Sequence, residues 1–248
     1  MTIDSSDDLE RLRVIGRIVA TILHRMQALT EPGMTTGELD LLGGDLLARY
    51  GARSAPKITY DFPGYTCISV NEEAAHGVPG ARVIGAGDVV NIDVSAEKDG
   101  YFADTGGTFV VPPANGLQKR LLHSTRLALR HACRQARAGR PLNGIGRAIQ
   151  KVARRDGFRI LRELCSHGTG RRLHEAPSQI PGYYVPRDRR VLHNGLVMTI
   201  EPFLSTRSST VSEADDGWTL ISGDGNLSAQ FEHTMVITRG QPILLTVV

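Results

Sequence analysis

Cysteine is scarce in this 248-residue chain. Cys67, Cys133 and Cys165 are odd in number and form no CxxC spacing, which excludes a cysteine-rich zinc site and fits a reducing compartment. No apolar run approaches the length of a membrane span. The start, "MTIDSSDDLE", is acidic and polar and unlike the basic n-region and apolar centre of a signal peptide, so a cytoplasmic protein with no membrane partner is expected. Charge of one sign is not in excess: the formal net charge is +3, and bulk electrostatics select no class of partner. Tryptophan occurs once, at Trp218. What remains is an ordinary globular composition, at a length that allows one large domain or two small ones and a real core.

Against that background stands the stretch "VVNIDVSAEKDGYFADT" at 89–105. Val90, Ile92 and Val94 alternate with Asn91, Asp93 and Ser95, the period-2 pattern of a strand with one apolar face. Glu97-Lys98-Asp99-Gly100 supplies turn chemistry, and a return strand is expected from Tyr101 to Val111. A turn on Lys98-Asp99 sets Asp93 directly across from Asp104. A turn on Asp99-Gly100 sets Asp104 across from Ser95 and leaves the carboxylates diagonal. In either register they point the same way, within roughly 5–8 Å. Carboxylates so placed need a shared proton, a basic neighbour or a cation, unless both face open water.

The remaining pattern is tandem. Leu9, Leu12, Ile15, Val19, Ile22, Leu23 and Met26 predict an amphipathic helix over 6–30. Thr35-x-x-Glu38 reads as a capping box for a second helix ending near Gly51. Strands are expected over 66–111, then helices at about 116–138 and up to Gly157, then strands and loops. Gly33 and Gly51 bracket the second helix as Gly139 and Gly157 bracket the fourth, and "GDVVNID" (87–93) matches "GLVMTIE" (195–201). These repeats predict one catalytic domain, 1–248, of two halves at about 6–111 and 116–237. Each half ends a strand with an acid, Asp93 or Glu201, and a pseudo-twofold axis would bring the two together.

Glu232, in "SAQFEHTMVIT", is a further acid in an apolar strand pattern. Four carboxylates in hydrophobic contexts, Asp93, Asp104, Glu201 and Glu232, are hard to explain as solvated charges if they converge, and two divalent ions would balance them. "CSHGTGRRLHEAP" carries His167 and His174, and "NEEAAHGVPG" carries His76. Taken alone, each reads first as an ordinary loop or satisfied core histidine. "GTGRRL" and "GIGRAI" are poor dinucleotide fingerprints, without a strong strand before or a long helix after.

In the order Asp93, Asp104, His167, Glu201, Glu232, and in "CISVNEEAAHGVPG", "SHGTGRRLHEAP", "MTIEPF", "DGW" and "SAQFEHT", the chain resembles the type I methionine aminopeptidases over nearly its whole length. The resemblance implies an α/β (α+β) pita-bread (creatinase/aminopeptidase) fold, two related halves around a curved antiparallel sheet, without the zinc-finger extension of some eukaryotic members. It implies a metalloexopeptidase that removes the N-terminal methionine of nascent chains with a small second residue, through a dinuclear metal-activated water. By resemblance, Asp93, Asp104, His167, Glu201 and Glu232 ligate two divalent ions, Co, Mn, Fe or Zn, with Asp104 and Glu232 bridging. Glu201 also shuttles a proton, His174 contacts the peptide carbonyl, and His76 assists the leaving amine. Phe62, Cys67, Leu173 and Trp218 form the methionine pocket, although a lone tryptophan reads equally as a core anchor. A monomer is expected.

Some positions depart from the family pattern. Leu173 stands in place of an aromatic, which widens the pocket. Ser166 replaces a glycine, Ala176 replaces the second acid of "HEEP", and Gly106-Gly107 is expected to loosen the strand after Asp104. Two other readings stand beside this one: a peptidase of the same fold acting on X-Pro bonds, and a metal-free binding protein. Finally, residues 119–162 hold thirteen lysines and arginines. Arg126, Arg130 and Arg134 share a helical stripe, either a solvated face or a transient contact with ribosomal RNA.

Overall fold

The computed structural model describes residues 1–248. Ser5 opens helix α1 (Ser6–Leu29) by accepting the Asp8 amide, and its stripe of Leu12, Ile15, Val19, Ile22 and Met26 is fully buried. Thr35 and Glu38 cap helix α2 (Thr36–Arg49) reciprocally, as their spacing predicts. Then follow β1 (Arg53–Ser54), α3 (Ala55–Tyr60), β2 (Cys67–Val70), β3 (Glu73–Ala75), β4 (Val89–Lys98) and β5 (Tyr101–Val110). The second half opens with α4 (Gly116–Gln135), held by an Asn115–Gln118 capping box, and α5 (Asn143–Asp156). Its strands are β6 (Arg159–Ile160), β7 (Cys165–Gly168), β8 (Glu175–Pro181), β9 (Val197–Ile200), β10 (Phe203–Ser205), β11 (Ser212–Glu213), β12 (Leu220–Ile221), β13 (Ser228–Gln230), β14 (His233–Val236) and β15 (Ile243–Leu244).

The strands pair antiparallel. In one sheet β4 lies between β2 and β5; in another the order is β15-β14-β9-β7-β8. Helix α1 packs on β4 and β5 in one hydrophobic core, and α4 and α5 pack beside β9 and β14 in a second. The two halves meet where the Glu232 amide donates to the Gly106 carbonyl (2.9 Å) and Gly107 bridges Phe231. The sequence repeats are mirrored in the backbone. Gly33, Gly51 and Gly87 have φ of 95°, 62° and 87°; Gly139, Gly157 and Gly195 have 85°, 78° and 85°.

The structure selects one of the two hairpin registers and changes three expectations in detail. The β4–β5 turn falls on Asp99 (φ 52°) and Gly100 (φ 80°), the left-handed pair that suits the twist of a tight hairpin. Asp104 therefore faces Ser95 while Asp93 faces Gly106, the diagonal of the two registers. Next, β4 continues past Asp93 to Lys98, whereas β9 stops at Ile200, just before Glu201. Pro202 follows and cannot donate to a ladder. Likewise "SAQFEHTMVIT" is two strands, with Glu232 in the gap between β13 and β14. Lastly, Gly106-Gly107 does not interrupt β5, which stays in register with β4 throughout.

Candidate metal centre

The hairpin fixes the first two acids. Asp93 and Asp104 lie on one face, diagonal across β4 and β5, and Cys67 of β2 sits opposite Asp93. Asp104 is anchored through its backbone to the other half: its amide donates to the Thr234 hydroxyl (2.9 Å), which donates to its carbonyl (2.7 Å). Its carboxylate is thereby left free to point inward.

His167, in β7, donates from Nδ1 to the Gly168 carbonyl (3.0 Å). Since a carbonyl only accepts, Nε2 carries the lone pair. That nitrogen lies 3.5 Å from Glu201 Oε1 and 3.8 Å from Asp104 Oδ2. Burial, and then the neighbouring His174, pull the His167 pKa down to about 3, so the ring is neutral at physiological pH and these contacts are not ion pairs. Thr199 serves both partners, donating to Glu201 Oε1 (2.8 Å) and accepting the His167 amide (3.2 Å). Ser166 has a local role as well: its hydroxyl accepts the Glu201 amide (2.9 Å), a group released where β9 ends.

Glu232 completes the cluster from the seam. One ligand atom each from Asp104, His167 and Glu232 lie within 4.8 Å of one another. Gln230 donates to Glu232 Oε2 (3.1 Å) and is itself held by Asn91 (2.9 Å). A Cβ at position 106 would lie 2.3 Å from the Gln230 side-chain oxygen, so the glycine makes room for this support.

Electrostatics show how tightly the acids converge. Burial raises Asp104 to about 6. Burial, then the charge of Asp104 and a hydrogen bond with it, then the charge of Glu201, hold Asp93 well above the carboxylate range. Glu201 and Glu232 are raised by burial and then by the charge of Asp104, against opposing hydrogen bonds from Thr199 and Gln230. No lysine or arginine lines the cleft. Asp104 Oδ1 and Glu232 Oε1 are buried without any hydrogen-bond partner. Orphaned carboxylate oxygens beside a neutral imidazole, with no basic counter-charge, fit divalent cations: oxygen-rich sets with one histidine suit Mn²⁺ or Fe²⁺, and Co²⁺ or Zn²⁺ are compatible.

The ligand set borders a cleft of about 390 Å³. Phe62, Cys67, Leu173 and Trp218, named from sequence, all line it, as do His76 and His174; Glu232 lies behind. Phe62 and Trp218 meet edge to face at 5.3 Å between ring centres. Leu173 is buried. His76 has φ of 54°, which turns it out of the β3 path. The His174 ring lies 4.0 Å from that of His167 between centroids, tilted by 49°, and its Nδ1 lies 2.7 Å from the Tyr60 hydroxyl. Tyr60, Thr199, Thr234 and Gln230 were not singled out in the sequence. No local motif marks them, because their partners lie far away in the chain or depend on strand ends. Cys165 and Phe203 also line the cleft.

Known proteins resemble this chain in sequence and fold. The model of metallopeptidase family M24 matches residues 10–239. The chain is 47% identical to methionine aminopeptidase 2 of Bacillus subtilis, covering 99% of each, and 38% identical to the Escherichia coli methionine aminopeptidase, covering 99% of this chain and 94% of that one. Among solved structures, the methionine aminopeptidase of Thermotoga maritima superposes with a TM-score of 0.95 at 33% identity, all of both chains being covered. A prolidase from Pyrococcus furiosus, 23% identical, shares the fold with a TM-score of 0.80 over 66% of its own length.

Proposed function

The chain belongs to metallopeptidase family M24, and from that membership we propose that it removes the N-terminal methionine from peptides and nascent proteins with a small second residue. The observation that carries this reading is the pair of unpartnered oxygens, Asp104 Oδ1 and Glu232 Oε1, buried beside a cleft of about 390 Å³ with aromatic and apolar walls. Asp93, Asp104, His167, Glu201 and Glu232 hold two divalent cations. Bound there, the cations supply a nucleophile at neutral pH by lowering the pKa of water, and polarise the scissile carbonyl.

The chain's own groups do the rest. Phe62, Cys67, Leu173 and Trp218 bury the methionine side chain, whose flexible thioether suits a slot with aromatic walls. Glu201, oriented by Thr199, holds and moves the proton at its carboxyl oxygens. Burial, and then His76, lower the His174 pKa, so this ring is also neutral. With the Tyr60 phenol donating to Nδ1, Nε2–H of His174 is free to donate to the substrate carbonyl as charge develops there. His76 faces the second residue and assists the leaving amine. The chain acts as one catalytic domain, 1–248, in the cytoplasm, as a monomer.

The substrate source is the ribosome. Exposed Lys119, Arg120, Lys151 and Arg154 give the second half a basic surface for contact with ribosomal RNA. Co-sedimentation with ribosomes is expected to weaken as salt rises; binding indifferent to salt contradicts that contact. The activity is tested by loading the protein with Mn²⁺, Fe²⁺, Co²⁺ or Zn²⁺ and offering Met-Ala-Ser and Ala-Pro peptides. Release of methionine from the first alone is expected. Cleavage of Ala-Pro instead identifies the X-Pro reading, and no turnover with any metal sinks both.

A further inference from the structure

Behind the metal centre, on the opposite side of the β5 and β13–β14 backbone, lies a second cavity of about 770 Å³. Its floor is Thr105-Gly106-Gly107 and Phe231-Glu232-His233; α1 walls one side and α4 the other, and residues 241–246 close one end. Because 107 is a glycine, no side chain rises from the floor there; a Cβ would meet Gln27 and Leu23 of α1. Gln27 of α1 reaches across to the Gly107 carbonyl (3.1 Å).

One wall is cationic: α4 presents Arg126, Arg130 and Arg134, with His123 beside them and His24 facing from α1. The one acid bordering the cavity, Glu232, places a carboxylate oxygen in the cluster with Asp104 and His167. Arg126, Arg130 and Arg134 take part in none of the molecule's ion pairs. The Arg126 guanidinium sits 4.3 Å over the Phe231 ring, and enclosure pulls its pKa below the ordinary arginine value. Three guanidinium groups one helical turn apart, in a concave site without a counter-charge, lack only the anion whose geometry their planar forks match. The stripe is exposed and at the same time borders a concavity.

We infer that this cavity binds a compact polyphosphorylated anion. The arginines are exposed along one side of a cavity bounded by α1 and residues 241–246, a concave surface that suits a compact ligand seated against them better than an extended strand that needs an open track. The three arginines, spaced along about 12 Å of helix, match a chain of linked phosphates better than a single one.

The test is calorimetric titration of the full-length, metal-loaded protein with magnesium tripolyphosphate, magnesium being in excess so that the catalytic metal is not stripped. Saturable binding is expected in wild type and in the remote Arg187→Ala control, about tenfold weaker binding in Arg126→Ala/Arg130→Ala, and much weaker binding of orthophosphate. Should loss of the Arg126–Phe231 contact impair folding, Arg130→Glu/Arg134→Glu alters only exposed side chains and must weaken binding as well. The inference is overturned if wild type shows no saturable binding, if both variants bind normally, or if a short single-stranded RNA binds more tightly through the same arginines.

Discussion

Thr199 serves two of the proposed metal ligands, donating to Glu201 and accepting the His167 amide. Replacing it by valine keeps the shape and removes both bonds. Supporting contacts of this kind are typically worth about 10–100-fold in metal affinity, so Thr199→Val is expected to weaken Mn²⁺ binding by that order in a competition titration while the chain stays folded. Tyr60 acts on His174 instead. Tyr60→Phe deletes the 2.7 Å bond to Nδ1 and leaves the ring free to take the other tautomer. Steady-state kinetics on Met-Ala-Ser should show kcat lowered about tenfold with KM little changed; a change in KM alone would place Tyr60 in substrate binding. Neither residue could be read from sequence. A threonine in an apolar strand and a tyrosine in a short helix carry no signature until the fold supplies their partners, and Tyr60 and His174 are 114 residues apart.

At the scale of elements, α1 is held by contacts at both ends of the chain's order. Mid-helix Gly16 lies against the C-terminal segment, and a Cβ there would approach the Leu245 carbonyl oxygen, a backbone atom that cannot swing aside. Gly16→Ala should therefore destabilise the protein, by about 1–3 kcal/mol, despite the better helix propensity of alanine; denaturant unfolding would measure it. At the start of the same helix, Asp8 accepts from the Tyr101 hydroxyl (2.7 Å) and from Arg171 (2.8 Å), which joins α1 to β5 and to the loop before His174. The Tyr101 bond foremost, then the Asp4 amide, hold the Asp8 pKa at about 2, below the ordinary 3.8. A depressed carboxyl stabilises the fold above its unfolded pKa and loses that contribution as pH falls toward the folded value. Unfolding midpoints followed from pH 5 down to 2 should therefore fall more steeply in wild type than in Asp8→Asn; equal slopes would contradict the assignment. The helices, the capping box and the hairpin were legible because each is written in local spacing. The breaks at Glu201 and Glu232 were not, since "MTIE" and "SAQFEHTMVIT" read as unbroken strands and only cross-strand pairing shows where the ladder stops.

In the whole molecule two cores flank a seam, and the proposed metal ligands come from both sides of it. Asp93 and Asp104 rise from the first half's hairpin, and His167, Glu201 and Glu232 from the second half. The paired glycines and the "GDVVNID"/"GLVMTIE" match made this duplication visible in sequence, because left-handed turns demand glycine at equivalent places. The rear cavity was not legible, for it arises from how α1 and α4 pack over the seam. On the proposed function, bound metal would also offset the repulsion among four converging carboxyl groups that have no basic partner. Chelation at pH 7.5 should lower Tm by several degrees, and Mn²⁺ should restore it. The most direct measurement is a calorimetric count of Mn²⁺ bound by the metal-stripped chain. About two equivalents are predicted for wild type, as a paired-metal hydrolase requires, with at least one lost in folded Asp104→Asn and in folded Glu232→Gln. Wild type that binds no Mn²⁺ saturably, or full binding retained in both variants, would contradict the account.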